Sequence, residues 1–183
     1  MSPQRYSPDI LARGLDVVFC GLNPASTAAR DGHNFSNRSN RFWPVLHRAG
    51  FTSERLAPQD EQRLLDFGCG ITAVVRRPTR RAEEIAADEY RQARRGFEAR
   101  MRRYAPRALA FLGKSAFSAM MDQPQVAWGQ QRTDVAGAMV WVLPNPSGLN
   151  RSFTIDALVR AYAELRLALQ PDAARPSSAP LSP

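Results

Sequence analysis

The chain has 183 residues, with 25 Lys plus Arg against 17 Asp plus Glu, a formal net charge of +8 and 44% hydrophobic residues. That length suits one domain with its own core, and the apolar content excludes a disordered basic tail. Only two cysteines, Cys20 and Cys69, occur and no CxxC pair, which excludes a four-thiolate iron–sulfur or zinc centre; no apolar run approaches the ~20 residues of a membrane span, and the N-terminal MSPQRYSPDI has no apolar signal core.

A protein that works without metal or cofactor in a reducing, cytoplasmic compartment is therefore expected. The positive charge favours polyanions, nucleic acid first among them, although a solvated basic face would look the same. Lys114 is the only lysine, so nearly every cation is an arginine.

The first element is LDVVFCG, Leu15 to Gly21, a short apolar run closed by glycine, as in a strand buried on both faces. GLNPAS, Gly21 to Ser26, follows it directly. Proline after Asn23 holds that residue extended, so its carboxamide can offer a donor and an acceptor to a crevice. Helices are expected at Asn40 to Ala49 and Pro58 to Asp66, and the clearest one runs from about Ala86 to Tyr104. There Tyr90, Ala93, Phe97 and Met101 recur every three or four residues beside an arginine face that includes Arg91, Arg94, Arg95, Arg102 and Arg103.

ALAFLG, Ala108 to Gly113, reads as a second strand and precedes a helix from Lys114 to Met121. AMVWVLP, Ala138 to Pro144, reads as a third strand, followed by NPSGLNR, Asn145 to Arg151. In that loop Leu149 is an apolar residue among polar neighbours, and Arg151 can take a phosphate. A last amphipathic helix spans Thr154 to Leu169, and the Pro/Ser/Ala tail from Pro171 to Pro183 is expected to be disordered.

Strands alternating with helices indicate an α/β fold, a three-layer α/β/α sandwich with a short, mostly parallel central sheet, in one domain over residues 1–170. In such a sheet ligands bind at the carboxyl ends of the strands, which directs attention to the two Asn-Pro loops. Each alone is also an ordinary turn. Together, read as the ends of two adjacent strands, they fit base flipping: a polar pocket for an extruded base, an apolar wedge and cations for the backbone.

GLNPAS, then NRFWPVL, RPT, ALAFLGK, WGQQ and VLPNPSGLNR, in that order, resemble the mismatch-specific uracil-DNA glycosylases, the bacterial Mug and eukaryotic thymine-DNA glycosylase group. The resemblance spans roughly Leu11 to Leu169. It implies a monofunctional hydrolase that removes uracil, preferentially opposite guanine, from double-stranded DNA, acting as a monomer at the nucleoid. It further implies that Asn23 positions the attacking water, that Phe35 stacks on the flipped base with Leu22 alongside, and that Leu149 is the wedge. Gly148 and Asn150 would face the widowed guanine, with Arg151 beside them.

Two departures matter: alanine at Ala25 where the family has glycine, and Asn150 where it has serine. They bear on pocket shape and on discrimination opposite guanine, and leave a broader base range or a non-catalytic mismatch binder as alternatives. A small residue, Ala28, stands near the expected C5 edge of the base. Lys114 is either a phosphate contact or a helix-start cation.

Asparagine orients water but accepts no proton, so carboxylates nearby carry weight. Asp88 is the candidate for assisting catalysis and Asp31 a lesser one; alternatively Asp88 and Glu89 are first-turn acids that offset a helix dipole. His33 lies close to the pocket loop, and His47 reads as a packing or surface residue. Trp43 and Trp141 read as core, leaving Trp128 open. With one lysine, lyase chemistry through a Schiff base is not expected.

Overall fold

The computed structural model describes residues 8–170, so the tail from Pro171 lies outside the described residues. Its centre is a five-stranded sheet in the order β2-β1-β3-β5-β4. Strands β1 (Val17–Gly21), β2 (Cys69–Ala73), β3 (Ala108–Leu112) and β5 (Met139–Leu143) run parallel, and only the two-residue β4 (Gly129–Gln130) is antiparallel. All three strands expected from the apolar runs are present. Their residues are almost wholly buried because helices cover both faces, and this is why the runs are continuous rather than alternating.

One face packs against α2 (Phe42–Arg48) and α5 (Ile155–Leu169) through Phe19, Phe42, Leu46, Leu158 and Tyr162. The other packs against α3 (Ala87–Tyr104) and α4 (Lys114–Met121) through Val18, Leu109, Phe111, Phe97, Met101 and Phe117. The three-layer α/β/α arrangement is thus as expected. Among the described residues no helix is long and apolar enough to cross a membrane.

Three local details differ from the expectation. Strand β2 does not stand out in the apolar pattern, because Gly70 and Thr72 dilute its signal. The segment around Ile10 lies so close over Gly70 that a Cβ there would sit 2.6 Å from the Ile10 carbonyl oxygen, so only glycine fits. Pro58–Phe67 is a 3₁₀ helix rather than an α-helix, and Ser26–Asp31 forms a short helix, α1, held at its start by the Ser26 amide donating to the Thr79 carbonyl at 2.9 Å.

The sheet order also corrects the picture of neighbouring loops: β3 lies between β1 and β5, so the two Asn-Pro turns are one strand apart. Parallel direction still places both at the same edge. The gap between them is spanned by Gly113, whose φ of +113° belongs to a region favouring glycine.

Candidate active site

A cavity of about 630 Å³ opens at that carboxyl edge. Its wall contains Leu22 and Asn23 from the first loop, Ala28 from α1, Phe35 from the segment after it, and Leu149, Asn150 and Arg151 from the second loop. Seven of the ten residues singled out as catalytic, base-binding or DNA-binding therefore meet at one opening. Gly148, Lys114 and Asp88 do not line it.

Asn23 is held by its amide nitrogen, which donates to the Arg77 carbonyl at 2.9 Å, the Thr79 hydroxyl at 2.8 Å and the Pro24 carbonyl at 3.2 Å. Carbonyl acceptors require the NH₂ group on that side, so Oδ1 is the atom turned away from them. The segment supplying these partners is itself tied to the first loop: Val74 and Val75 amides donate to the Gly21 and Leu22 carbonyls, and the Thr79 amide donates to that of Pro24. Thr79 is 4% exposed, and its hydroxyl passes the chain on to the Arg81 carbonyl at 2.7 Å. Arg77 is anchored by Glu89, whose two oxygens accept from Nε at 3.0 Å and Nη2 at 2.8 Å. The Arg77 guanidinium, with help from the Ala86 amide, holds the Glu89 carboxyl below its usual range.

Phe35 occupies a left-handed conformation, φ +53°, which its neighbours impose. Glu61, 3% exposed, accepts from the Asn34 amide at 2.8 Å and the Asn34 side chain at 2.9 Å, and pairs with His33 Nδ1 at 3.1 Å. Trp43 Nε1 donates to the Asn34 carbonyl at 3.3 Å. The Phe35 ring stacks on Phe42 with centroids 4.0 Å apart. His33 and Trp43 thus hold the aromatic wall in place, and neither lines the cavity.

The second loop is organised by Arg41, which sequence reasoning passes over although it stands in NRFW. Its guanidinium donates to four carbonyls: Phe153 at 2.6 Å, Ser147 and Asn150 at 2.8 Å, and Pro146 at 3.3 Å. Tyr162, fully buried, donates to the Pro144 carbonyl at 3.1 Å and holds the start of the loop. Leu149 is left 74% exposed at the tip. Gly148 packs on Ser39 so tightly that a Cβ would fall 2.6 Å from the Ser39 carbonyl oxygen, so its role is close approach of backbone. The Asn150 side chain is used within the loop: its amide donates to the Asn145 carbonyl at 2.9 Å and its oxygen accepts from the Ser152 amide at 3.3 Å.

The carboxylates do not fall as expected. Asp88 is 78% exposed and pairs with Arg91 at 2.6 Å, one turn along α3 and outside the cavity wall. A general base must reach the water it deprotonates, so Asp88 is left the role of a first-turn acid on a helix dipole. Asp31 is also outside the wall; it pairs with Arg30 at 2.8 Å and accepts from Ser36, contacts that hold its carboxyl below the usual range. Among the described residues the only carboxylate lining the cavity is Glu83, which is exposed and shares the wall with Arg80 and Arg81.

Two hydroxyls in the cavity wall, Thr27 Oγ1 and Tyr90 Oη, are buried without a hydrogen-bond partner among the described residues. Burial pushes the Tyr90 phenol up to about 12, so it stays neutral and able to donate. Burial likewise raises both thiols, Cys69 to about 12 and Cys20 further, which makes them core residues rather than nucleophiles. No group of three or more His, Cys, Asp or Glu able to hold a metal ion is present among the described residues.

An α/β/α sheet with an aromatic-walled cavity at its carboxyl edge and a fixed apolar tip beside it defines a ligand site of the open α/β kind, at the carboxyl ends of the strands. Residues 8–166 match the family described as the Uracil DNA glycosylase superfamily, and the chain belongs to it. It is thereby a DNA glycosylase, a hydrolase whose substrate is DNA. The fold is shared with a protein from Methanosarcina acetivorans, provisionally named a uracil DNA glycosylase and solved in solution: TM-score 0.58, 18% identity, covering 89% of this chain and 98% of that one.

Proposed function

We propose that this DNA glycosylase is of the mismatch-specific kind, the group of bacterial Mug and eukaryotic thymine-DNA glycosylase, and hydrolyses uracil from uracil–guanine pairs in duplex DNA. The observation that carries the reading is the arrangement of Asn23. Its donor side is fixed by three acceptors, and among the described residues its Oδ1 takes no hydrogen bond, which leaves it able to accept one from a water molecule. Water so held can direct its lone pair at the sugar C1′ of a flipped nucleotide. As the oxygen–C1′ bond forms, the bond from C1′ to the base nitrogen breaks and its electron pair leaves with the base; the water proton passes to solvent.

The rate in this scheme comes from positioning: among the described residues Glu83 is the one carboxylate lining the cavity, and it makes no hydrogen bond to Asn23. Phe35, backed by Phe42, offers the flipped base an aromatic face, Leu22 and Ala28 line its edge, and Leu149 fills the vacated stack. Arg151 takes a phosphate, and Gly148 and Asn150 present loop backbone to the widowed guanine. The protein acts as a monomer in the cytoplasm at the nucleoid, and hydrolysis by water calls for no cofactor.

Single-turnover base release from otherwise identical duplexes with uracil opposite guanine or adenine tests the reading. Faster release opposite guanine is expected. Equal rates would remove the mismatch preference, and binding without release would make the protein a mismatch binder.

A further inference from the structure

Trp43 and Trp141 are buried, whereas Trp128 is 43% exposed. Its indole lies 4.4 Å from the Lys114 ammonium and meets the Phe153 ring edge to face, with centroids 5.4 Å apart. Phe153 is not separate from the wedge: its carbonyl takes the same Arg41 guanidinium that grips Ser147 and Asn150. The exposed indole, its cation and the wedge loop are therefore one mechanical unit. A second groove, lined by Lys114, Ser115, Ser118 and Val126, starts at Ser115, which also lines the main cavity. Among the described residues no carboxylate pairs with Lys114.

From this juxtaposition we propose that Trp128 and Lys114 form a shelf that receives the DNA strand leaving the main cavity, Lys114 on a backbone phosphate and the indole against the adjoining sugar and base. The proposal rests on the glycosylase reading above. An indole exposed to water beside an unpaired cation matches a ligand that carries an anionic group next to a flat apolar one, as each nucleotide of a strand does. The chain's net charge of +8 acts in the same direction, attracting a polyanion and repelling a basic protein surface. Phe153 stiffens the shelf, so the contact forms in register with Leu149.

With the other two tryptophans buried, acrylamide quenching of intrinsic fluorescence reports on Trp128. The Asn23→Ala protein mixed with a uracil–guanine duplex gives a complex that does not turn over. The shelf predicts that DNA shields the quenchable fraction, that Trp128→Ala, which deletes that fraction itself, weakens binding by about tenfold, and that Lys114→Gln lowers the log–log salt slope of binding by about one. Trp128→Phe, which keeps a ring, should recover most of the affinity. Full acrylamide access in a saturated complex, or an unaltered salt slope in Lys114→Gln, overturns the shelf while leaving the glycosylase reading intact. Failure of the wild type to release uracil, with the shielding still present, would instead overturn the glycosylase reading alone.

Discussion

Two Asn-Pro turns leave the same edge of one sheet and use their asparagines in opposite ways. After β1, Asn23 is gripped from outside its own loop by residues more than fifty positions away, and the grip takes only its donor side. After β5, Asn145 and Asn150 close on their own loop: Asn145 Oδ1 accepts from the Ser147 amide, and the Asn150 amide returns to the Asn145 carbonyl. The first turn leaves its asparagine oxygen unengaged among the described residues, and the second builds a rigid tip. The dipeptide does not reveal which use applies; the partners of the amide do.

Arg41 is where the contrast breaks most visibly. Replacing it by methionine takes the guanidinium from four carbonyls and leaves those of Asn150 and Phe153 with no other donor among the described residues, so Arg41→Met should cost about 3 kcal/mol in urea unfolding and loosen the second loop while Asn23 keeps its partners. Equal stability of the two proteins would mean that the loop is held by Tyr162 and Gly148 instead. On the other side, Thr79→Val removes one acceptor from Asn23 and should slow single-turnover release about tenfold at a stability cost near 1 kcal/mol. An unchanged rate would show that the Arg77 and Pro24 carbonyls suffice to orient the amide.

Tyr90→Phe should act in the reverse direction on stability. Its hydroxyl is buried without a partner, so deleting it should raise unfolding free energy by about 1 kcal/mol. A fall would reveal that the hydroxyl has a partner in solution. The smallest effect concerns Glu89, whose carboxyl is held low by Arg77 in the folded protein. A depressed pKa contributes stability above the ordinary glutamate range that is lost as pH falls through the lowered value. The melting temperatures of the wild type and Glu89→Gln should therefore converge on acidification below that range, and a gap independent of pH would contradict the assignment.

The layers of the fold are legible because burial on both faces writes β1, β3 and β5 as unbroken apolar runs. Strand β2 is not, since Gly70 is small to admit the Ile10 carbonyl and the Thr72 hydroxyl is there to meet Asp9 at 2.8 Å. At the site, Asn23, Phe35 and Leu149 stand in local patterns that a reader of the sequence can weigh. Thr79, Glu61 and Arg41 do not, because the site residues each holds lie 27 to 112 residues away. Asp88 misleads for a related reason: a helix's first turn announces that an acid belongs there, while which way it faces depends on the packing of α3.

In the proposed reaction a fixed asparagine, without a carboxylate base, aims the water. The most direct test is single-turnover release of uracil from a uracil–guanine duplex by saturating wild type and Asn23→Ala, with thermal unfolding followed in parallel. The account predicts a loss of about 10²- to 10³-fold in rate with the fold retained. A well-folded Asn23→Ala protein that releases uracil at the wild-type rate would contradict it.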